Sequence, residues 1–168
     1  MNLLRNEYYY LPNVFSYFFS FLNEDKFTFT MSHLPEVHKA TIPGEVRSGT
    51  CITLEGKVNS DTTRFDIELK GNQDGGDVPL HSSFRFNEGC VVRNHMSTAY
   101  GWGDEEREGG MHLFPGQNFN LQFKINSDDI VVSVDGSHFY NFKHRLPMNS
   151  ISCVVVFGGV TISSVEFC

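Results

Sequence analysis

Between His81 and Glu108 the chain reads HSSFRFNEGCVVRNHMSTAYGWGDEERE. His81, Ser83 and Arg85 fall at every second position, Asn94 follows nine residues later, and the only tryptophan, Trp102, stands between two glycines. Glu105 and Arg107 come next, two apart. No nucleophile is set beside a base, and no residues have the spacing of a metal cage. The set instead mixes Arg and His donors with Glu and Asn acceptors around one indole. A hydroxyl both donates and accepts, so such a mixture suits a neutral polyol. A flat aromatic face can carry the apolar side of a sugar ring. The chemistry is that of a shallow, wet site with weak individual contacts.

These residues need strands to aim them. Side chains alternate across a strand, so LHSSFRF puts Leu80, Ser82, Phe84 and Phe86 on one face and His81, Ser83 and Arg85 on the other. In CVVRNHM, Val92 and Asn94 share a face, with Val91, Arg93 and His95 opposite. An outward His or Arg on a wet sheet face is common by itself. Asn is disfavoured within strands, so its presence asks for a reason, either a nearby turn or a polar ligand. Glycines on both sides of a tryptophan leave its flanks open, which is unusual for a core residue. Glu105 and Arg107 project to one face and can hold each other in a fixed orientation. An exposed ion pair of this kind adds little stability, about 0–1 kcal/mol, and its use is preorganisation. Asp104, Glu106 and Glu108 then point the other way.

The same period of two runs through the rest of the chain from His33 onward. Phe65, Ile67 and Leu69 alternate with Asp66, Glu68 and Lys70. Phe119, Leu121, Phe123 and Ile125 alternate with Asn120, Gln122 and Lys124. Asp135-Gly136 and Gly158-Gly159 are hairpin signals, and further turns fall at Pro43-Gly44, Gly71 to Gly76 and Pro115-Gly116. No segment has a capped helical period. The pattern predicts an all-β fold, an antiparallel β-sandwich, as a single domain from residue 33 to 168.

Composition narrows the function classes. With 168 residues there is room for one domain with a proper core. Sixteen phenylalanines favour strands. A formal net charge of −7 without a basic run speaks against nucleic acid as a partner. The seven histidines are scattered, so neither a metal nor a cofactor is expected. Cys51, Cys90, Cys153 and Cys168 form no CxxC and read as free thiols, although an even number leaves disulfides open. Leu11 to Leu22 is apolar and aromatic but too short to span a bilayer, and Pro12 and Asn13 interrupt it, so no stable membrane insertion is expected. Residues 1–32 read as an N-terminal extension, poorly ordered or the product of an over-long gene model with Met31 as the true start. A membrane-surface or partner-docking segment and a cleaved signal are the other readings.

The ordered motifs H-x-S-x-R-F, V-x-N and W-G-x-E-x-R resemble the galectin signature. DVPLH, RFNEG, EERE, FKHRLP and the closing strand extend the resemblance over roughly Ile42 to Phe167, and DVPLHSSFRFNEG and WGDEERE are most similar to nematode-type galectins. The resemblance implies a concanavalin-like jelly roll that binds β-galactosides on glycoproteins or glycolipids without metal and is not an enzyme. It implies a site of His81, Ser83, Arg85, Val92, Asn94, Trp102, Glu105 and Arg107. His81 and Arg85 would bond the axial 4-hydroxyl of galactose, Asn94 and Glu105 the 6-hydroxyl, and Trp102 would stack on the ring. Glu105 and Arg107, helped by Arg85, would reach the next sugar, with Val92 packed beside the site. Ser83 departs from the Asn that many galectins carry and implies an altered preference or a weaker bond at the 4-hydroxyl. A homodimer would be needed to cross-link glycans. Such proteins are made in the cytoplasm and reach the outside by signal-independent export. Two rival readings stand beside this one: a galectin-like protein that acts through protein contacts, and a glycan hydrolase using Asp104, Glu106 and Glu108.

Overall fold

The computed structural model describes residues 18–23, 26–30 and 37–168. Among the described residues thirteen strands form: β1 Phe18–Asn23, β2 Lys26–Thr30, β3 Val37–Thr41, β4 Cys51–Val58, β5 Arg64–Lys70, β6 Val78–Arg85, β7 Cys90–Ser97, β8 Gly101–Trp102, β9 Asn118–Ile125, β10 Asp129–Val134, β11 Ser137–Lys143, β12 Cys153–Gly158 and β13 Val160–Phe167. The only helical elements among the described residues are two short 3-10 turns, Phe86–Glu88 and Met148–Ser150. All strand pairs are antiparallel. One sheet has the order β1-β2-β13-β4-β9-β10-β11, the other β3-β12-β5-β6-β7-β8. The expected sandwich is therefore the observed architecture.

Alternation builds the core. Phe65, Ile67 and Leu69 of β5 and Leu80 and Phe84 of β6 face Ile52, Leu54, Leu121 and Phe123 of the other sheet, all nearly or completely buried. Phe65 stacks on Phe84 with ring centroids 4.3 Å apart, and on Phe119 of β9 at 6.2 Å. Ser82 also points inward, where its hydroxyl meets the Tyr140 hydroxyl at 2.6 Å. Burial pushes the Tyr140 phenol well above its usual range, so this core pair stays neutral. Phe86 leaves the strand pattern: β6 ends at Arg85 and Phe86 opens the 3-10 turn, although it still packs against the core.

One expectation changes. Cys51 and Cys168 form a disulfide, with Cα atoms 5.1 Å apart, so the reading of free thiols holds only for Cys90 and Cys153. The final strand returns beside β4 and brings together cysteines 117 positions apart, a proximity that sequence spacing does not reveal. Strands also begin ahead of His33: β1 and β2 form a hairpin, and β2 pairs with the Ser164 to Phe167 stretch of β13. The rest of residues 1–32, Met31 included, lies outside the described residues.

Candidate functional site

Register alone assembles the outer face of the six-stranded sheet. Lys39, Val155, Glu68, His81 and Asn94 lie in one row across β3, β12, β5, β6 and β7. Val37, Phe157, Asp66, Ser83 and Val92 form the next row. Arg64, Arg85 and Cys90 form a third. Trp102 pairs with Met96 and so joins the Asn94 face of β7.

Trp102 is 55% exposed, and its ring stands edge-on to the His81 imidazole with centroids 4.9 Å apart. The two glycines beside it have separate causes. Gly101 has φ +80, a left-handed turn that leads the chain into β8. A Cβ on Gly103 would lie 2.1 Å from Cε1 of His95, so that glycine exists because an imidazole covers it.

A closed ring of charge stands at the Arg85 end of the same face. Arg85 Nη2 lies 3.6 Å from Glu105 Oε1, and Arg107 donates to Glu105 through Nε at 2.8 Å. Arg107 Nη1 donates to Glu88 at 2.7 Å, and Arg85 Nη1 to the other Glu88 oxygen at 3.4 Å. Hydrogen bonds that Arg107 donates to Glu105 and then to Glu88 push its guanidinium above its usual range. The hydrogen bond from Arg107 holds the Glu88 carboxyl below its usual range against desolvation, with the charge of Arg85 adding to it. Glu88 sits in the 3-10 turn between β6 and β7 and was not among the residues singled out from the sequence. Its signal was the sequence RFNEG itself, in which a strand end and an αL Gly89 force a tight hairpin that swings the carboxylate back over Arg85.

The remaining residues are more enclosed than an outer strand face suggests. His81 is nearly buried, with Nδ1 3.0 Å from Glu68 and Nε2 3.9 Å from Asp66. Neither carboxylate was singled out as a site residue, because β5 lies beside β6 only in the folded sheet. Ser83 is fully covered, and its hydroxyl accepts from Arg85 Nε at 3.2 Å. Val92 is buried across the ladder from Ser83. Asn94 is 4% exposed; its Nδ2 donates to Gly103 O at 2.8 Å and its Oδ1 accepts from the His95 amide at 2.8 Å. One Nδ2 hydrogen remains for another acceptor. Glu106 and Glu108 point away from this face: Glu106 bonds Arg145 and Glu108 lies 3.2 Å from Arg93. Carboxylates paired in this way are not poised as an acid and a nucleophile. Among the described residues no group of His, Cys, Asp and Glu could hold a metal, and no helix is long and apolar enough to cross a membrane.

A family model described as galactoside-binding lectin matches residues 37–167. The chain belongs to the galectin family. Human Galectin-7 is 33% identical over 137 residues, which cover 81% of this chain and 98% of that protein. The 32 kDa beta-galactoside-binding lectin of Caenorhabditis elegans is 30% identical over 79% of this galectin chain. The chain spans only about half of that relative (48%). Among solved structures, the Caenorhabditis elegans galectin LEC-6 superposes with a TM-score of 0.73 at 28% identity, covering 84% of this chain and 95% of that one. Sheep Galectin-11 shares the fold, with a TM-score of 0.72 at 24% identity. Membership places the chain among carbohydrate-binding lectins, which are not enzymes.

Proposed function

We propose that the outer face of β5 to β8 binds β-galactosides without a metal. The observation that carries this reading is a half-exposed Trp102 edge-on to His81, on the same sheet face as the Arg85–Glu105–Arg107–Glu88 ring. More than half of the indole is open to solvent, and the charged groups on its face are already ordered, so a hydroxyl-rich ligand meets donors and acceptors at little entropic cost. His81 and Arg85 take the axial 4-hydroxyl, and Asn94 and Glu105 take the 6-hydroxyl. Trp102 carries the apolar face of the ring. Glu105 and Arg107 continue to the next sugar. Ser83, which touches no solvent, acts on the 4-hydroxyl by orienting Arg85. Affinity is on the order of micromolar to millimolar per site, because few apolar atoms are desolvated.

The test is retention on immobilised lactose with elution by free lactose. Trp102→Ala is expected to pass through unretained while keeping its β-sheet circular dichroism. Lactose-specific elution of that variant would remove the site assignment, and an unretained wild-type chain would favour action through protein contacts instead. In this reading the chain occupies single glycans unless it forms a homodimer, which sedimentation at micromolar concentrations decides. It works in the cytoplasm or, after signal-independent export, at the cell surface, which fractionation of expressing cells checks.

A further inference from the structure

The segment that carries Trp102, Glu105 and Arg107 has little regular strand pairing to its own sheet and is held there mostly by side chains. β8 is two residues long and forms the sheet edge. Beyond it the backbone ties to β7 are the Gly103 amide to His95 O at 3.1 Å and the reciprocal Arg93–Glu106 pair at 2.9 Å, joined by side-chain bonds from Asn94 to Gly103 O at 2.8 Å and from Arg93 to Glu108 at 3.2 Å. Gly109 and Gly110 then turn the chain away with positive φ. An edge with so little strand pairing depends on its side-chain anchors to stay in place.

Arg145 reaches it from the other sheet. Its arm is rooted after β11: the His144 amide donates to Asp128 O at 3.0 Å and His144 Nε2 donates to Asn126 O at 2.9 Å. The guanidinium lies over the buried Phe142 ring, 4.9 Å from its centroid. Its tip crosses to the segment, where Nη1 donates to Asp104 O at 2.6 Å and Nη2 to Glu106 Oε1 at 2.5 Å. Nη1 also stands 3.4 Å from Asn94 Oδ1. Asp104 and Glu106 are the residues that alternate with Glu105 and Arg107. The fork therefore grips the segment through the Asp104 carbonyl and the Glu106 carboxylate and reaches the Asn94 side chain beside it.

We infer that Arg145 is a positioning residue: it touches no sugar and fixes where Trp102, Glu105 and Arg107 stand. The inference rests on the sugar-binding reading for its effect on affinity, but its effect on Trp102 can be measured without ligand. A planar guanidinium satisfies a carbonyl and a carboxylate at once, and an ammonium at the same place reaches one or the other. Without the fork, the segment must be ordered anew each time a ligand binds, which weakens binding on the order of tenfold.

Trp102 is the sole tryptophan, so time-resolved fluorescence anisotropy of the full chain reports on this segment alone. Arg145→Ala is expected to give Trp102 an added nanosecond internal motion in the absence of sugar and about tenfold weaker lactose binding. Arg145→Lys is expected to fall between the two. Wild-type anisotropy in Arg145→Ala overturns the inference, and so does weaker lactose binding with Trp102 unmoved, because a merely structural loss would not pass through this segment. Should Arg145→Ala fail to fold, Arg145→Lys decides by the same anisotropy. A wild-type chain that does not bind lactose would overturn the sugar reading and leave the anisotropy to decide the role of Arg145.

Discussion

Glu88 and Gly103 show how single residues set this site. Glu88 bonds Arg107 and Arg85 from the hairpin turn, so it fixes two donors while standing exposed. Glu88→Gln is expected to weaken lactose binding by roughly threefold, because Arg107 loses one of its two anchors and must be ordered by the ligand. The thermal midpoint should not move, since exposed pairs add little stability. Titration calorimetry beside a melting scan checks both halves. Gly103 is constrained by His95 and not by Trp102. Gly103→Ala forces a methyl into the imidazole and is expected to cost about 1–3 kcal/mol. Adding His95→Ala makes room, so the double variant should recover part of the loss in denaturant melts. Equal melting of the single and double variants would show that the contact is unimportant.

At the scale of elements, the strand ladder does most of the work. Placing β5 beside β6 brings Glu68 and Asp66 to the two nitrogens of His81, and β8 brings Trp102 against the same ring. β4 and β13 are joined twice at their ends, by reciprocal backbone bonds between Cys51 and Cys168 and by the disulfide. The bridge closes a loop of more than one hundred residues, and its removal is expected to cost about 2–4 kcal/mol by releasing the unfolded chain. Melting curves with and without reductant, repeated on Cys51→Ser, measure this. The effect of reductant should vanish in that variant.

For the whole molecule, pH couples to folding through histidines that burial keeps neutral. His38 is buried in β3, its Nδ1 has no partner, and desolvation holds its pKa below the ordinary value, against one backbone hydrogen bond to Val160. His95 is lowered first by desolvation and then by the Arg145 charge, with Asp104 opposing. In each case the unfolded chain binds a proton that the folded chain resists. The stability these groups contribute is fully present above the ordinary imidazole value of about 6.5 and is lost as pH falls below it. The melting temperature should therefore decline between pH 7 and pH 5. His38→Leu should flatten that decline, and an unchanged slope in the variant would assign it to other groups.

Alternation of apolar and polar residues made the sandwich legible in advance, because a one-residue shift would turn every core side chain to solvent. Counting by two along LHSSFRF likewise put His81, Ser83 and Arg85 on one face, since side-chain direction in a strand follows from it. Counting could not show which strands are neighbours. For that reason Glu68 and Asp66 beside His81, the Cys51–Cys168 bridge and the reach of Arg145 across the sandwich were hidden until the chain was folded. Nor could it show enclosure: Ser83 and Asn94 sit on the outward face yet are covered, because flanking strands and the Trp102 segment close over them. Local pattern fixes which way a residue points along its own strand. What it touches depends on contacts between residues far apart in the chain, and these exist only in the tertiary structure.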